Sequence, residues 1–254
     1  WCQVAMGNWS RRPEMLPFWI ALQFLSSLPV SLAGMPAPRE VGRSLLYYPL
    51  VGLLFGLLLW LASHLLQGTP SPLHAALLLT LWVLLSGALH LDGLADSADA
   101  WLGGFGDRER TLRIMKDPRS GPIAVVTLVL VLLLKFCALW VLVGQGIGAQ
   151  LLLAPLIGRA AMLGLFLGTP YVRPGGLGQA LAEHLPRRAA GWVLLVCVLF
   201  CLFLGGWSVL LALAVFAWLR HLMCRRLGGT TGDTAGALLE LLELAVVLGL
   251  ALGL

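Results

Sequence analysis

"PIAVVTLVLVLLLKFCALWVLVG", residues 122–144, holds a single charge, Lys135. A helix needs roughly 20 mostly apolar residues to cross a bilayer. This stretch supplies them and offers no polar face of the kind a surface helix of a soluble bundle would show. Comparable apolar segments lie at 16–33, 45–67, 73–91, 147–168, 191–218 and 235–254. The 254-residue chain is 59% hydrophobic and 11% charged, whereas a soluble domain carries about 25% charged residues. The fold expected is an all-α polytopic membrane helix bundle of about 6–8 segments, some of them re-entrant.

Two segments resist simple assignment. Segment 16–33 is short and carries Gln23, Ser26, Ser27 and Pro29, which suits a re-entrant or interfacial piece. Segment 191–218 is interrupted by Gly205, Gly206 and Trp207. It reads as a tilted helix or a tight hairpin, although halves of about 13 residues fall short of the usual minimum of about 17. Residues 1–15 contain no apolar core with a cleavage site and read as a poorly ordered N-terminal extension. The single integral-membrane domain is then expected over 16–254. The five cysteines include no CxxC pair, so neither a disulfide nor a zinc site is indicated.

Charge sorts the loops. Segments 67–72 and 144–150 carry none, whereas 34–44, 92–121, 169–190 and 219–234 hold nearly all the arginines. The positive-inside tendency puts the second group in the cytoplasm. The formal net charge is +5, which here fits basic loops and anionic substrates better than nucleic acid. Arginine, the dominant cation, grips phosphate through a bidentate fork.

The carboxylates are concentrated. In "HLDGLADSADAWLGGFGDRER" (90–110) stand four of the chain's six aspartates: Asp92, Asp96, Asp99 and Asp107. If the helix of segment 73–91 continues through Asp99, then Asp92, Asp96 and Asp99 fall at 0°, about 40° and about −20° around its axis. Three carboxylates on one face repel one another and are costly near a bilayer. A divalent cation relieves both, and Mg²⁺ typically takes one or two carboxylates plus substrate phosphate oxygens. The row therefore predicts a metal face (Asp92, Asp96, Asp99) for phosphoryl chemistry. Gly93 beside it allows close approach of a ligand or backbone. His90 would lie about 160° from Asp92, on the opposite face.

"DRERTLRIMKDPRSG" (107–121) follows with Arg108, Arg110, Arg113, Lys116 and Arg119. Its position directly after the acidic face suits charge on a diphosphate, while its residue count is that of any cytoplasmic loop. Arg108, Arg113, Lys116 and Arg119 are candidate phosphate-binding groups, and Asp117 is a candidate ligand or general base. In "RRLGGTTGDTAGALLELLE" (225–243), TTGD reads as a helix cap whose free N–H groups favour anions. Asp233 and Glu240, seven apart, share a face there. Arg159 and Lys135 lie within apolar spans, where a charge is a functional hypothesis by default. Arg173 stands in a loop with an aromatic neighbour.

These motifs resemble the cobalamin synthase family, the membrane-bound adenosylcobinamide-GDP ribazoletransferases. His-x-Asp-Gly-x-x-Asp-x-x-Asp from His90 to Asp99 looks like that family's hallmark. The likeness extends through "IMKDPRSGPIA" (114–124), Arg159 in "IGRA", "YVRPGGLG" (171–178) and "GGTTGDTAGA" (228–237), with "FLSSLPV" and "YYPLVGLLFG" (47–56) nearer the start. It implies an Mg²⁺-requiring enzyme of the bacterial inner membrane that completes the nucleotide loop of cobalamin. The phosphoryl-linked corrinoid of adenosylcobinamide-GDP would pass to α-ribazole 5′-phosphate or α-ribazole, releasing GMP. Asp92, Asp96 and Asp99 would hold the metal, Arg159 and Arg173 would join the loop cations on phosphate, and Asp117 or Asp233 would accept the hydroxyl proton. The expected partners are these substrates and membrane lipid, with no nucleic acid. A homo-oligomer and contacts with other late enzymes of the cobalamin pathway stay open.

Two other functions share parts of this pattern. A CDP-alcohol phosphotransferase shares membrane helices, clustered aspartates and metal-assisted displacement. Its motif, however, needs Asp-x-x-Asp-Gly-x-x-Ala-Arg, whereas here Gly93 follows the first aspartate and Ala100 and Trp101 follow the third. A transporter would use intramembrane charges such as Lys135 and Arg159, but the chain has no evident inverted repeat.

Overall fold

A computed structural model describes residues 15–32, 34–146, 148–176 and 178–253. Most of the expected N-terminal extension, residues 1–14, lies outside the described residues. The architecture is all-α, and no strand longer than an isolated bridge occurs among the described residues. The chain runs through α1 (Leu16–Leu25), α2 (Pro38–Ser44), a 3-10 turn, α3 (Tyr48–Leu65), α4 (Ser71–Ser86), α5 (Leu89–Gly103) and α6 (Arg108–Ile114). It continues with α7 (Pro122–Gly144), α8 (Leu153–Gly168), α9 (Gly178–Glu183), α10 (Arg187–Gly205), α11 (Trp207–Leu227) and α12 (Gly232–Ala251). Proline opens α1, α2, α3, α4 and α7, where its missing N–H has no intrahelical partner to lose.

Among the described residues, six helical stretches are long and apolar enough to cross a membrane: Pro38–Leu65, Pro122–Gly144, Gln150–Gly168, Arg187–Gly205, Trp207–Leu227 and Gly232–Ala251. The chain is a multi-pass membrane protein. α12 is the central post, packed against α5, α7, α8 and α11. α10 lies at the other extreme and leaves Trp192, Val196, Leu199 and Phe203 exposed, as a lipid-facing helix would.

Three local features differ from the simplest reading of the sequence. First, the helix of segment 73–91 does not run through to the aspartates. It stops at Ser86, and α4 and α5 meet at 88°. Gly87 (φ 60°) and Ala88 (φ 58°) both adopt the left-handed conformation, which no helix propagates. The chain after α1 serves this break. Ser27 donates its backbone N–H to the Leu85 carbonyl (2.9 Å) and its hydroxyl to that of Leu84 (2.5 Å), which also accepts from the Gly87 N–H (3.1 Å); these are among the last carbonyls of α4, which lack intrahelical partners. Second, the described part of segment 16–33 yields only a ten-residue helix, α1, too short to span.

Third, segment 191–218 is the tight hairpin. Its helices have 19 and 21 residues because α10 begins in the arginines at 187–188 and α11 runs on through Arg225 and Arg226. The reversal occurs at Gly206 (φ 50°, ψ −123°), and the Ser208 hydroxyl donates to the Gly205 carbonyl (2.7 Å).

Charge is also buried inside the bundle. Lys135 of α7 donates to Glu240 (2.6 Å) and Glu243 (2.8 Å) of α12. Arg159 of α8 pairs with Glu243. Trp82 and Phe55 lie against the two cations, 4.8 and 4.6 Å from their ring centres. Two cations and two carboxylates cancel, which is the condition for holding charge away from water.

Candidate active site

The site is built where α5 meets α12. Thr231 caps α12: its hydroxyl accepts from the Thr234 backbone N–H (3.2 Å), and its own N–H donates to the Thr234 hydroxyl (2.9 Å). This is a capping box with threonine as the reciprocal partner, as TTGD suggested. It sets Asp233 on the first turn, where the helix dipole favours a carboxylate.

α5 comes very close to this turn. A Cβ on Gly93 would stand 2.8 Å from the Asp233 carbonyl oxygen, and one on Gly236 would stand 3.3 Å from the His90 backbone. The close approach expected of Gly93 is therefore to backbone. It brings Asp92 and Asp233 into one cleft.

A third segment is fastened to the same place. Tyr171 and Thr230 form a parallel bridge. The Val172 N–H donates to the Thr230 carbonyl (2.9 Å), and the Thr230 N–H donates to that of Pro170 (2.8 Å). The loop so tied projects Arg173 onto Asp233, 2.5 Å away. The cleft has a volume of about 480 Å³ and is lined by Asp92, Lys116, Arg173 and Asp233, with Gly93, Gly175, Gly176, Gly232 and Gly236 among its walls. Phe24, Met162, Phe166 and Tyr171 supply apolar surface.

The remaining expected residues fall in several places. Asp96, half-buried, lies within electrostatic reach of Asp92, Asp233, Arg173 and Asp99, so four carboxylates and one guanidinium crowd the α5 face. Asp99 already has partners: its carboxylate accepts from the backbone N–H groups of Gly121 (2.5 Å) and Ala124 (2.9 Å). It thus caps α7 from outside that helix. Asp107 caps α6 by accepting from the Arg110 N–H (2.6 Å).

Lys116 reaches the cleft; its neighbours do not. Arg108 donates to the Leu227 carbonyl (2.7 Å) and ties α6 to the end of α11. Arg113 is exposed on α6. Arg119 forms two bonds to Asp117, at 2.9 and 2.7 Å, and these hold the Asp117 carboxyl down at about 2. Arg159 lies in the buried ion network, away from the cleft wall. His90 is buried on α5 with neither ring nitrogen hydrogen-bonded. Among the described residues, no three His, Cys, Asp or Glu side chains converge closely enough to hold a metal ion unaided.

Sequence reasoning did not single out Phe166 and noted Tyr171 only as the aromatic neighbour of Arg173; the two rings stack at 6.1 Å and 21° beside Arg173. It also passed over Glu243, the acceptor shared by Lys135 and Arg159. The signal for Glu243 was present: it lies three residues after Glu240, on the same helix face.

Residues 17–251 match the cobalamin-5-phosphate synthase family. The adenosylcobinamide-GDP ribazoletransferase of Pseudomonas putida strain KT2440 is 99% identical over 240 residues, covering 94% of this chain and 100% of that protein. The proteins of the same name from Pseudomonas entomophila strain L48 and Pseudomonas fluorescens strain Pf-5 are 82% and 76% identical, each over 94% of this chain and over 99% and 100% of their own lengths. No solved structure matches the chain.

Proposed function

This chain belongs to the cobalamin-5-phosphate synthase family, and we infer that it transfers the phosphoryl-linked corrinoid of adenosylcobinamide-GDP to α-ribazole 5′-phosphate or α-ribazole, releasing GMP. The observation that carries this reading is the cleft that gathers Asp92, Asp233, Lys116 and Arg173 from four separate segments. Transfer of a phosphoryl group is chiefly a matter of positioning and charge stabilisation. Arg173 and Lys116 are the cations that meet the diphosphate. The glycine walls let the chain's backbone approach it closely.

We propose Mg²⁺ as the cofactor, held by Asp92 and Asp96. A cleft with too few converging ligands to bind a metal alone suits an ion that completes its shell with substrate phosphate oxygens. When bound, the ion neutralises charge developing on the bridging and leaving oxygens. Asp99 serves the same site by fixing the start of α7 against α5. Asp233 is the better proton acceptor for the attacking hydroxyl, since it faces the cleft while Asp117 is committed to Arg119. Arg173 holds Asp233 in place and exchanges that partner for phosphate when the donor arrives.

We place the cleft on the cytoplasmic side of the bacterial inner membrane, because the loops that build it carry most of the arginines. Membrane lipid surrounds the exposed apolar face of α10. The decisive experiment incubates the protein in lipid nanodiscs with adenosylcobinamide-GDP and α-ribazole 5′-phosphate and follows GMP release. Release that depends on both substrates and on Mg²⁺ is expected. The absence of release in the complete mixture would overturn the assignment.

A further inference from the structure

A second cavity adjoins the cleft. Its volume is about 510 Å³, within the range of small-molecule sites. It is bounded by the C-terminal end of α8, the loop that carries Arg173, α9 and the first residue of α10. Phe166, Tyr171, Arg173 and Pro174 line both cavities, so the wall between them is one aromatic pair, one guanidinium and one proline ring. The far side offers Gln179, Glu183 and Arg187.

These side chains are held in place. The Gln179 amide nitrogen donates to Glu183 (2.7 Å), and its oxygen accepts from the Gly175 N–H (2.8 Å). Arg187 is anchored by one nitrogen to the Leu167 carbonyl (2.6 Å); a guanidinium has five N–H donors, so most of its capacity remains.

We propose that this second cavity binds a nucleoside monophosphate moiety. Three chemistries meet there that such a moiety needs together. The flat Phe166–Tyr171 pair offers an aromatic surface to a base. Arg187 and Arg173, on opposite sides, offer forked donors to a phosphate. Gln179 and Glu183 offer acceptors to ribose hydroxyls or a base edge. A purely lipidic ligand would use none of the polar groups, and the apolar groove between α8, α10 and α11 shows the contrast, since Ile157, Leu194, Val209 and Phe216 line it without a charged group.

This inference rests on the transferase reading. That reaction involves two nucleoside monophosphate moieties, the guanylyl half of the donor and the acceptor α-ribazole 5′-phosphate. They lie on opposite sides of the phosphorus in an in-line displacement, so the cavity takes one of them. Sharing Arg173 with the cleft sets the bound phosphate beside the reacting diphosphate.

The test uses the full-length protein in nanodiscs and the variants Arg187→Gln and Gln179→Ala. Equilibrium binding of GMP and of α-ribazole 5′-phosphate is measured without turnover, alongside KM for each substrate and kcat. At least a tenfold loss for α-ribazole 5′-phosphate, with donor KM and kcat within twofold, assigns the cavity to the acceptor. The same loss for GMP and for the donor assigns it to the guanylyl half. Unchanged binding of both ligands in both folded variants overturns the proposal. A fall in kcat alone does the same. Because binding is read without turnover, a cavity that fails and a transferase reading that fails give different results. Gln179→Ala keeps the test valid if loss of the Arg187–Leu167 bond unfolds the other variant.

Discussion

At the scale of single residues, the three aspartates of α5 have separate duties. Asp92 faces the cleft, Asp96 sits half-buried among like charges, and Asp99 accepts two backbone bonds at the head of α7. Asp92→Asn is therefore expected to lower transfer by about a hundredfold or more while the protein keeps its thermal midpoint. Asp99→Asn should lower that midpoint, because a neutral amide interacts less well with the positive end of a helix. Measuring GMP release and thermal unfolding on the same two preparations checks both; equal behaviour of the two variants would contradict the division. The helical spacing placed all three on one face and was sound as far as it went. Spacing could not reveal that α7 would begin beside the third aspartate, since that contact joins residues 22 and 25 positions apart. Glu243 carries a different expectation. Glu243→Gln leaves Arg159 buried without its carboxylate, and removing one partner of such a pair costs about 3–5 kcal/mol. The double variant Arg159→Met with Glu243→Leu should recover much of that loss, read as the thermal midpoint in detergent.

Elements pack through their glycines. Gly52 and Gly56 of α3, four apart, lie where a Cβ would run into the α8 backbone at Pro155 and into Leu152 just before α8. Small residues at this spacing let membrane helices approach closely. Gly52→Val should therefore separate α3 from α8 and destabilise by about 1–3 kcal/mol, while KM for both substrates stays within twofold. A raised KM with an unaltered thermal midpoint would show that the contact serves the site instead. The small-xxx-small spacing is present in "YYPLVGLLFG", a stretch noted above only for its family likeness. The break between α4 and α5 was not: Gly87 is an ordinary helix stop, but nothing in Ala88 announces a positive φ. Counting apolar runs also ended the hairpin helices too early. Helix formation ignores the boundary between apolar and charged residues, so α10 and α11 continue through arginines that hydropathy assigns to loops.

For the whole molecule, the hairpin at Gly206 separates two helices, 187–205 and 207–227, that are each long and apolar enough to span. If each spans once and α4 with α5 forms one broken span, the arginine-bearing loops all fall at the end that holds the cleft. The expected outcome is that a cysteine placed at Arg110 in a cysteine-free background reacts with an impermeant reagent only in inside-out vesicles. A cysteine at Gly68 should react only in right-side-out ones. Labelling of position 110 from the periplasmic face would contradict the orientation. The class of fold was readable from 122–144 alone, because bilayer thickness fixes helix length. The cleft was readable only in part: its four segments are distant in sequence, and the bridge that ties two of them together, Tyr171 to Thr230, has no signature in either stretch that names the other as its partner.

The neutral quartet of Lys135, Arg159, Glu240 and Glu243 also orders events during synthesis. Its cations belong to α7 and α8, and its carboxylates to α12, between 84 and 108 residues later. While the chain is being made, two positive charges must enter the membrane before their counterions exist. Until α12 arrives, the partners already in the chain are the ring faces of Trp82 and Phe55. The last helix is therefore the step that commits the bundle. A chain stopped after Leu227 should be turned over rapidly in a pulse-chase experiment, and one in which Lys135 and Arg159 are both replaced by Met should persist longer.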